Sequence, residues 1–255
     1  MEERRKQGII ALLKGIETGE PESVAVVNEQ QYIQHNPLTR EGDVGLAELF
    51  ARLAKTNPRV SIIRIFADGD FIFAHTEYDF SSEKICFEVF RFDGDQAVEH
   101  WDNLQLKQPA NLSGHTMTDG ETRVLDKHLT EANRQHVSDF IQTVMINRQF
   151  NQLSSFIAPA EYIEHNPQLE DNLSVLETHL ARQSDKGDAL TEYRQLHRTF
   201  AEGNFVLTQC EGQKLGYATA FYDLFRLDNG KIVEHWDTTE TIPPRSDWVN
   251  QNGKF

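Results

Sequence analysis

The sequence predicts an α+β protein made of two tandem copies of one domain, and three observations carry that prediction. Whole motifs recur in one order: Tyr32-Ile33-Gln34-His35-Asn36-Pro37 returns as Tyr162-Ile163-Glu164-His165-Asn166-Pro167, an offset of 130 residues (162 − 32). Phe66-Ala67-Asp68-Gly69-Asp70-Phe71 returns as Phe200-Ala201-Glu202-Gly203-Asn204-Phe205, and Val98-Glu99-His100-Trp101-Asp102 as Val233-Glu234-His235-Trp236-Asp237, an offset of 135 (237 − 102). Such a period exceeds the roughly 20–50 residues of a solenoid repeat and suits a small domain with its own core. In each copy, helical spacing precedes strand alternation, the order of an α+β unit. A polar, breaker-rich stretch, residues 107–122, separates the copies, which places the domains at 1–115 and 116–255.

Each element follows from local pattern. Ile9, Ile10, Leu13 and Ile16 form a helical stripe that Gly19-Glu20-Pro21 breaks. A short helical turn, 23–28, leads into the His-Asn-Pro segment. Leu46, Leu49, Phe50 and Leu53 make the next apolar face, stopped by Asn57-Pro58. Strands follow at 60–66, 71–80, 85–92 and 97–104, with hairpin turns at Asp68-Gly69-Asp70 and Asp93-Gly94-Asp95. The second copy repeats this plan. Val137, Phe140, Ile141, Val144 and Met145 share a helix face, and 173–180 is the next helix. Strands fall near 190–200, 205–211, 217–227 and 231–239, with a turn at Asp228-Asn229-Gly230.

Composition narrows the partners. The 255 residues are 38% hydrophobic and 25% charged, an ordinary globular balance. The net charge of −15 is shared almost evenly by the two copies, which disfavours nucleic acid and anionic membrane as partners. No run approaches the roughly 18 apolar residues of a membrane helix. Cys86 and Cys210 do not occupy equivalent positions, so they are expected to be buried, reduced thiols of a cytoplasmic protein.

Alternation along a strand puts His100 and Asp102 on one face and Trp101 on the other; the same holds for His235, Asp237 and Trp236. A carboxylate and an imidazole together in an apolar setting are tunable for acid/base work. The structural alternative is that these Asp side chains tie down a neighbouring loop, with the two Trp as core or interface anchors. No phosphate loop, nucleophile elbow or CxxC motif is present. His35, His75, His100 and Glu88 match no short metal-binding spacing, so no metal and no cofactor is expected.

Tyr-Ile-Gln-His-Asn-Pro, the Gly-Asp-Phe turn and Lys231-Ile232-Val233-Glu234-His235-Trp236-Asp237 resemble the SnoaL-like polyketide cyclase family, of the nuclear-transport-factor-2-like superfamily. The ending Asn250-Gln251-Asn252-Gly253-Lys254-Phe255 is similar to the tail of such proteins. The resemblance spans both copies. It implies tandem cone-shaped domains, each a curved, mostly antiparallel sheet packed against three N-terminal helices. It also implies a pocket for a small, largely apolar carbonyl compound and cofactor-independent proton transfer, aldol-type cyclisation or isomerisation. A non-catalytic ligand-binding or assembly module of the same fold is the alternative.

On this basis Asp102 and Asp237 are the expected acid/base carboxylates, with His100 and His235 orienting them. His35 and His165 are expected at the pocket mouths, although a turn in which each bonds a backbone carbonyl is the plainer role. His75 and Glu88 would complete the first pocket, Gln209 and Asp223 the second. The two sheets are expected to pair within one chain, and further homo-oligomerisation is left open.

Overall fold

The computed structural model describes residues 1–255, apart from the side chain of Asp43. The chain forms two compact units, Met1–Lys107 with Ile242–Phe255, and Gln108–Thr241.

In unit 1, α1 (Glu2–Thr18) ends on Gly19 in the left-handed conformation that glycine favours. A 3-10 turn, Pro21–Val26, and a two-residue strand, β1 (Ile33–Gln34), precede α2 (Gly42–Leu53). Then come β2 (Arg59–Asp68), β3 (Phe71–Asp79), β4 (Glu83–Asp93) and β5 (Gln96–Leu106). The sheet order is β1-β5-β4-β3-β2. It is antiparallel except where β1 runs parallel to β5.

Unit 2 repeats the plan. α3 (Thr130–Phe140) continues into a π-helical segment, Ile141–Ile146, and is followed by α4 (Leu153–Phe156), β6 (Ile163–Glu164) and α5 (Leu173–Ala181). β7 (Thr191–Glu202), β8 (Phe205–Lys214), β9 (Tyr217–Asp228) and β10 (Lys231–Thr241) complete the sheet in the order β6-β10-β9-β8-β7. The α+β expectation therefore holds in both units.

Each sheet has an inner face covered by its helices and an opposite, outer face. In unit 1, Ile9, Leu12 and Leu13 of α1 pack on Ile72, Tyr78, Cys86, Phe90 and Phe92. In unit 2, Val137, Phe140, Ile141 and Val144 cluster with Val206, Cys210, Phe221 and Phe225. Burying each of the large apolar side chains contributes about 1.5–3 kcal/mol. Buried Arg5 ties α1 to two of the three hairpin turns of unit 1: it donates to the carbonyls of Gly94 (2.7 and 3.0 Å) and Gly69 (3.0 Å) and pairs with Asp70 (2.9 Å).

The units depart from the expected boundaries, 1–115 and 116–255, at both ends. The segment that follows each repeat's last strand belongs to the unit built on the other repeat. Side-chain to backbone hydrogen bonds are the reason. Asn252 Nδ2 donates to Gln34 O (3.1 Å), and Asn250 Nδ2 to Asn36 O (2.8 Å) and Thr39 O (2.9 Å). In unit 2, Asn111 Nδ2 donates to Glu164 O (2.6 Å) and Trp236 Nε1 to Asp119 O (2.9 Å). Gln34 and Glu164 are equivalent positions, so Asn252 and Asn111 do the same work. Among the described residues, no helix is long and apolar enough to cross a membrane.

Candidate functional site

The two-residue parallel strands organise the site. β1 aligns Gln34 with His100, and β6 aligns Glu164 with His235, so these side chains meet on the inner face. Antiparallel pairing sets Glu88 opposite Asp102, and Asp223 opposite Asp237, on that same face.

In unit 1, His100 Nε2 lies 2.5 Å from Glu88 Oε2 and Nδ1 lies 3.0 Å from Gln34 Oε1. Tyr78 OH donates to Glu88 Oε1 (2.7 Å), and Phe90 stacks on the imidazole. Asp102 accepts from Asn36 Nδ2 (2.7 Å) and from the buried ammonium of Lys254, whose Nζ lies 3.4 Å from Oδ1 and 2.8 Å from the Asp102 carbonyl. Burial alone would raise this carboxyl, but the Lys254 and His100 charges and the Asn36 bond hold it below the ordinary aspartate value.

Unit 2 places a carboxylate where unit 1 has Gln34. His235 Nδ1 donates to Glu164 Oε1 (2.9 Å) and Nε2 to Asp223 Oδ1 (3.1 Å). Burial works against a charged imidazole, yet the Glu164 and Asp223 carboxylates outweigh it and hold His235 well above the usual range, as an imidazolium. Tyr162 OH donates to Glu164 (2.5 Å) and Tyr193 OH to Asp223 (3.0 Å). Asp237 differs most from its counterpart. Its Oδ2 accepts from Asn166 Nδ2 (2.8 Å), but among the described residues Oδ1 has no hydrogen-bond partner. Burial pushes its carboxyl up to about 6 against the pull of His235, and the nearby Asp223 and Glu164 charges push the same way. The side chain is only 8% exposed as a residue, so no bulk water relieves it.

The structure thus brings together His100, Asp102 and Glu88 in one unit, and His235, Asp237 and Asp223 in the other. It does not bring His35, His165, His75 or Gln209 to either cluster. His35 and His165 follow Gln34 and Glu164 by one residue and so point to the outer face. There they stack on Trp101 (4.5 Å) and Trp236 (4.7 Å), pair with Glu99 (2.9 Å) and Glu234 (3.0 Å), and meet the carbonyls of Gly253 (3.0 Å) and Thr116 (2.8 Å). The plainer turn role describes them; the pocket-mouth role is corrected. His75 pairs across the sheet with Phe87, because Ala74 is the residue opposite Glu88. It meets Arg64 at 3.1 Å on the outer face. Gln209 donates to Tyr222 OH (2.9 Å) on the outer face of unit 2. The foursome His35, His75, His100 and Glu88 is therefore split between two faces and cannot share a metal.

The residues not anticipated are Gln34 and Glu164, the donors Tyr78, Tyr162, Tyr193, Asn36 and Asn166 around the carboxylates, and Lys254. The tyrosines and asparagines stand inside the repeated motifs or on the strands, and the Gln-to-Glu change between the copies was the visible signal. Nothing in the sequence tells that a lysine at 254 reaches Asp102.

No family model matches this sequence, and no curated protein does. Among solved structures, the chain is similar to an NTF-2 like protein of unknown function from Burkholderia xenovorans LB400 (18% identity, 48% of this chain, 97% of that one, TM-score 0.39). It is also similar to TsrD from Streptomyces laurentii (16% identity, 41% and 90%, TM-score 0.37).

Proposed function

We propose that unit 2 binds a small, largely apolar carbonyl compound and moves a proton at the carbon beside the carbonyl, with Asp237 as base. The observation that carries this reading is the buried Oδ1 of Asp237, without a partner on a carboxyl raised to about 6. A base of that strength is half ionised at about pH 6, mostly ionised at neutrality, and still strong enough to accept a proton. His235 has both ring nitrogens committed to carboxylates, so it acts as a fixed positive charge beside the site and not as a shuttle. Protein groups alone supply this chemistry. Unit 1 favours the second reading, a retained scaffold, because Lys254 and Asn36 already occupy the Asp102 carboxylate.

The test is carbon-bound hydrogen exchange. A panel of small ketones and 1,3-dicarbonyl compounds in deuterated buffer is followed by proton NMR with the full-length protein. Exchange should rise with pH through about 6, fall at least 100-fold in Asp237→Asn, and persist in Asp102→Asn. Equal exchange by wild type and Asp237→Asn would exclude Asp237 as the base.

A further inference from the structure

We infer that the carbonyl compound handled by unit 2 is a keto acid, its carboxylate received by the Lys214 ammonium at the hairpin end of the sheet. The ketone half of that substrate rests on the proton-transfer reading; the acid half rests on the placement of Lys214.

Lys214 is the last residue of β8, before the Leu215-Gly216 turn into β9. Val206 and Cys210 of β8 belong to the inner-face cluster, and Lys214 follows Cys210 by an even step, so alternation puts it on the same face. Its Nζ donates to Thr239 Oγ1 (3.2 Å). Thr239 follows Asp237 by two residues on β10, hence also on the inner face and about 7 Å further along the strand. A short substrate can therefore span the gap between the Asp237 carboxylate and the ammonium. The Lys214 charge acts on this region. Burial raises the Asp237 carboxyl, and Lys214, with His235, is among the groups that pull it back. Desolvation lowers His179 on α5, and the Lys214 and Arg182 charges lower it further.

The second observation is a missing counter-ion. Lys214 is half-buried, yet among the described residues no carboxylate pairs with it, in a chain with 40 Asp and Glu against 25 Lys and Arg. An ammonium withdrawn from water without an anion is costly, and a substrate carboxylate would complete the pair with a charge-assisted hydrogen bond. A second cation stands at the same end. Arg148 donates to the carbonyls of Leu180 and Thr191 (3.1 Å each), and Thr191 lies opposite Lys214 in the ladder.

The other repeat is apolar at both positions. Phe80 is the counterpart of Lys214 (214 − 134) and Leu104 of Thr239 (239 − 135), and both pack against the core of unit 1. The lysine–threonine pair thus belongs to the unit whose aspartate keeps an oxygen without a hydrogen-bond partner. In unit 1 the Lys254 ammonium is bonded to Asp102 itself. In unit 2 the ammonium is set back from Asp237, where it holds an anion without quenching the base. A 3-oxo acid suits this spacing: its acidic carbon lies between ketone and carboxylate, so seating the carboxylate on Lys214 turns that carbon toward Asp237.

The experiment compares acetoacetate with methyl acetoacetate, which share a ketone and an acidic carbon and differ in charge. Deuterium exchange by the full-length protein at neutral pH is measured over a range of concentrations, with buffer exchange subtracted. Acetoacetate binding is followed separately by calorimetry, in wild type and in Asp237→Asn. Lys214→Met should raise the KM for acetoacetate about tenfold or more with kcat little changed, and leave the ester unaffected. Lys214→Arg should restore most of the loss. Binding should persist in Asp237→Asn and still depend on Lys214. Thermal melts confirm that the variants are folded. Lys214-dependent binding without exchange of either probe would sink the proton-transfer reading and leave the anion site standing. Acetoacetate that fails to bind, binding or exchange indifferent to Lys214→Met, or equal use of acid and ester overturns the inference, whatever becomes of Asp237.

Discussion

Asp102 and Asp237 occupy equivalent positions, yet their surroundings push their acidities in opposite directions, and stability should follow. Asp237 has its folded value raised from 3.8 to about 6. The folded state therefore keeps this proton longer than the unfolded state. The stabilisation is complete below the ordinary value and is lost as pH rises to about 6, a loss of about 3 kcal/mol at most. Asp237→Asn should then melt higher than wild type at pH 8 and equally at pH 3.5. Asp102, held below its ordinary value, contributes stability above that value and loses it on acidification. Asp102→Asn should melt lower at pH 7, since it strands the buried Lys254 ammonium at a cost of about 3–5 kcal/mol. Thermal melts across pH read both signs; a matched response of the two variants would sink the distinction. The buried thiols are a smaller case of the same physics. Burial pushes Cys86 and Cys210 well above the usual thiol range, so neither should react with iodoacetamide in the native protein on the timescale of minutes.

At the scale of elements, strand alternation carried most of what could be read from the chain. β5 and β10 are long enough for a period of two, so His100 and Asp102 were rightly separated from Trp101. β1 and β6 have two residues each, too few to show a period. The face of His35 therefore depended on parallel pairing with β5, a long-range contact that leaves no local mark. His75 failed for a related reason: one residue of register decides whether it or Ala74 meets Glu88. The helices and hairpins were legible because their signals are local, down to Asn229 and Gly230, both with positive φ in the last turn. Arg5 tests how the first helix is fastened. Arg5→Met keeps the length of the side chain but strands two turn carbonyls, and should lower the urea-unfolding stability by about 2–3 kcal/mol.

At the scale of the whole molecule, the exchanged tails make a sharp prediction. Expressed alone, residues 1–115 lack Asn250, Asn252 and Lys254, and residues 116–255 lack Asn111 and His115. Each half should be poorly folded by itself, and the two should recover a native melt when coexpressed. The pairing of the two sheets expected from the duplication is a separate proposal. Its check is cross-linking mass spectrometry: links between the repeats should form within one chain and be independent of protein concentration.

The traded tails also bear on how the two sites were able to part company. In a dimer of identical chains, a lysine that neutralises one carboxylate necessarily neutralises its twin, because every substitution is made twice. Joining the copies end to end removes that tie. Lys254 now pairs with Asp102 alone, and the segment that serves the other repeat, 108–122, contains no lysine to offer Asp237. Duplication supplied two buried carboxylate clusters; fusion made it possible for them to be different.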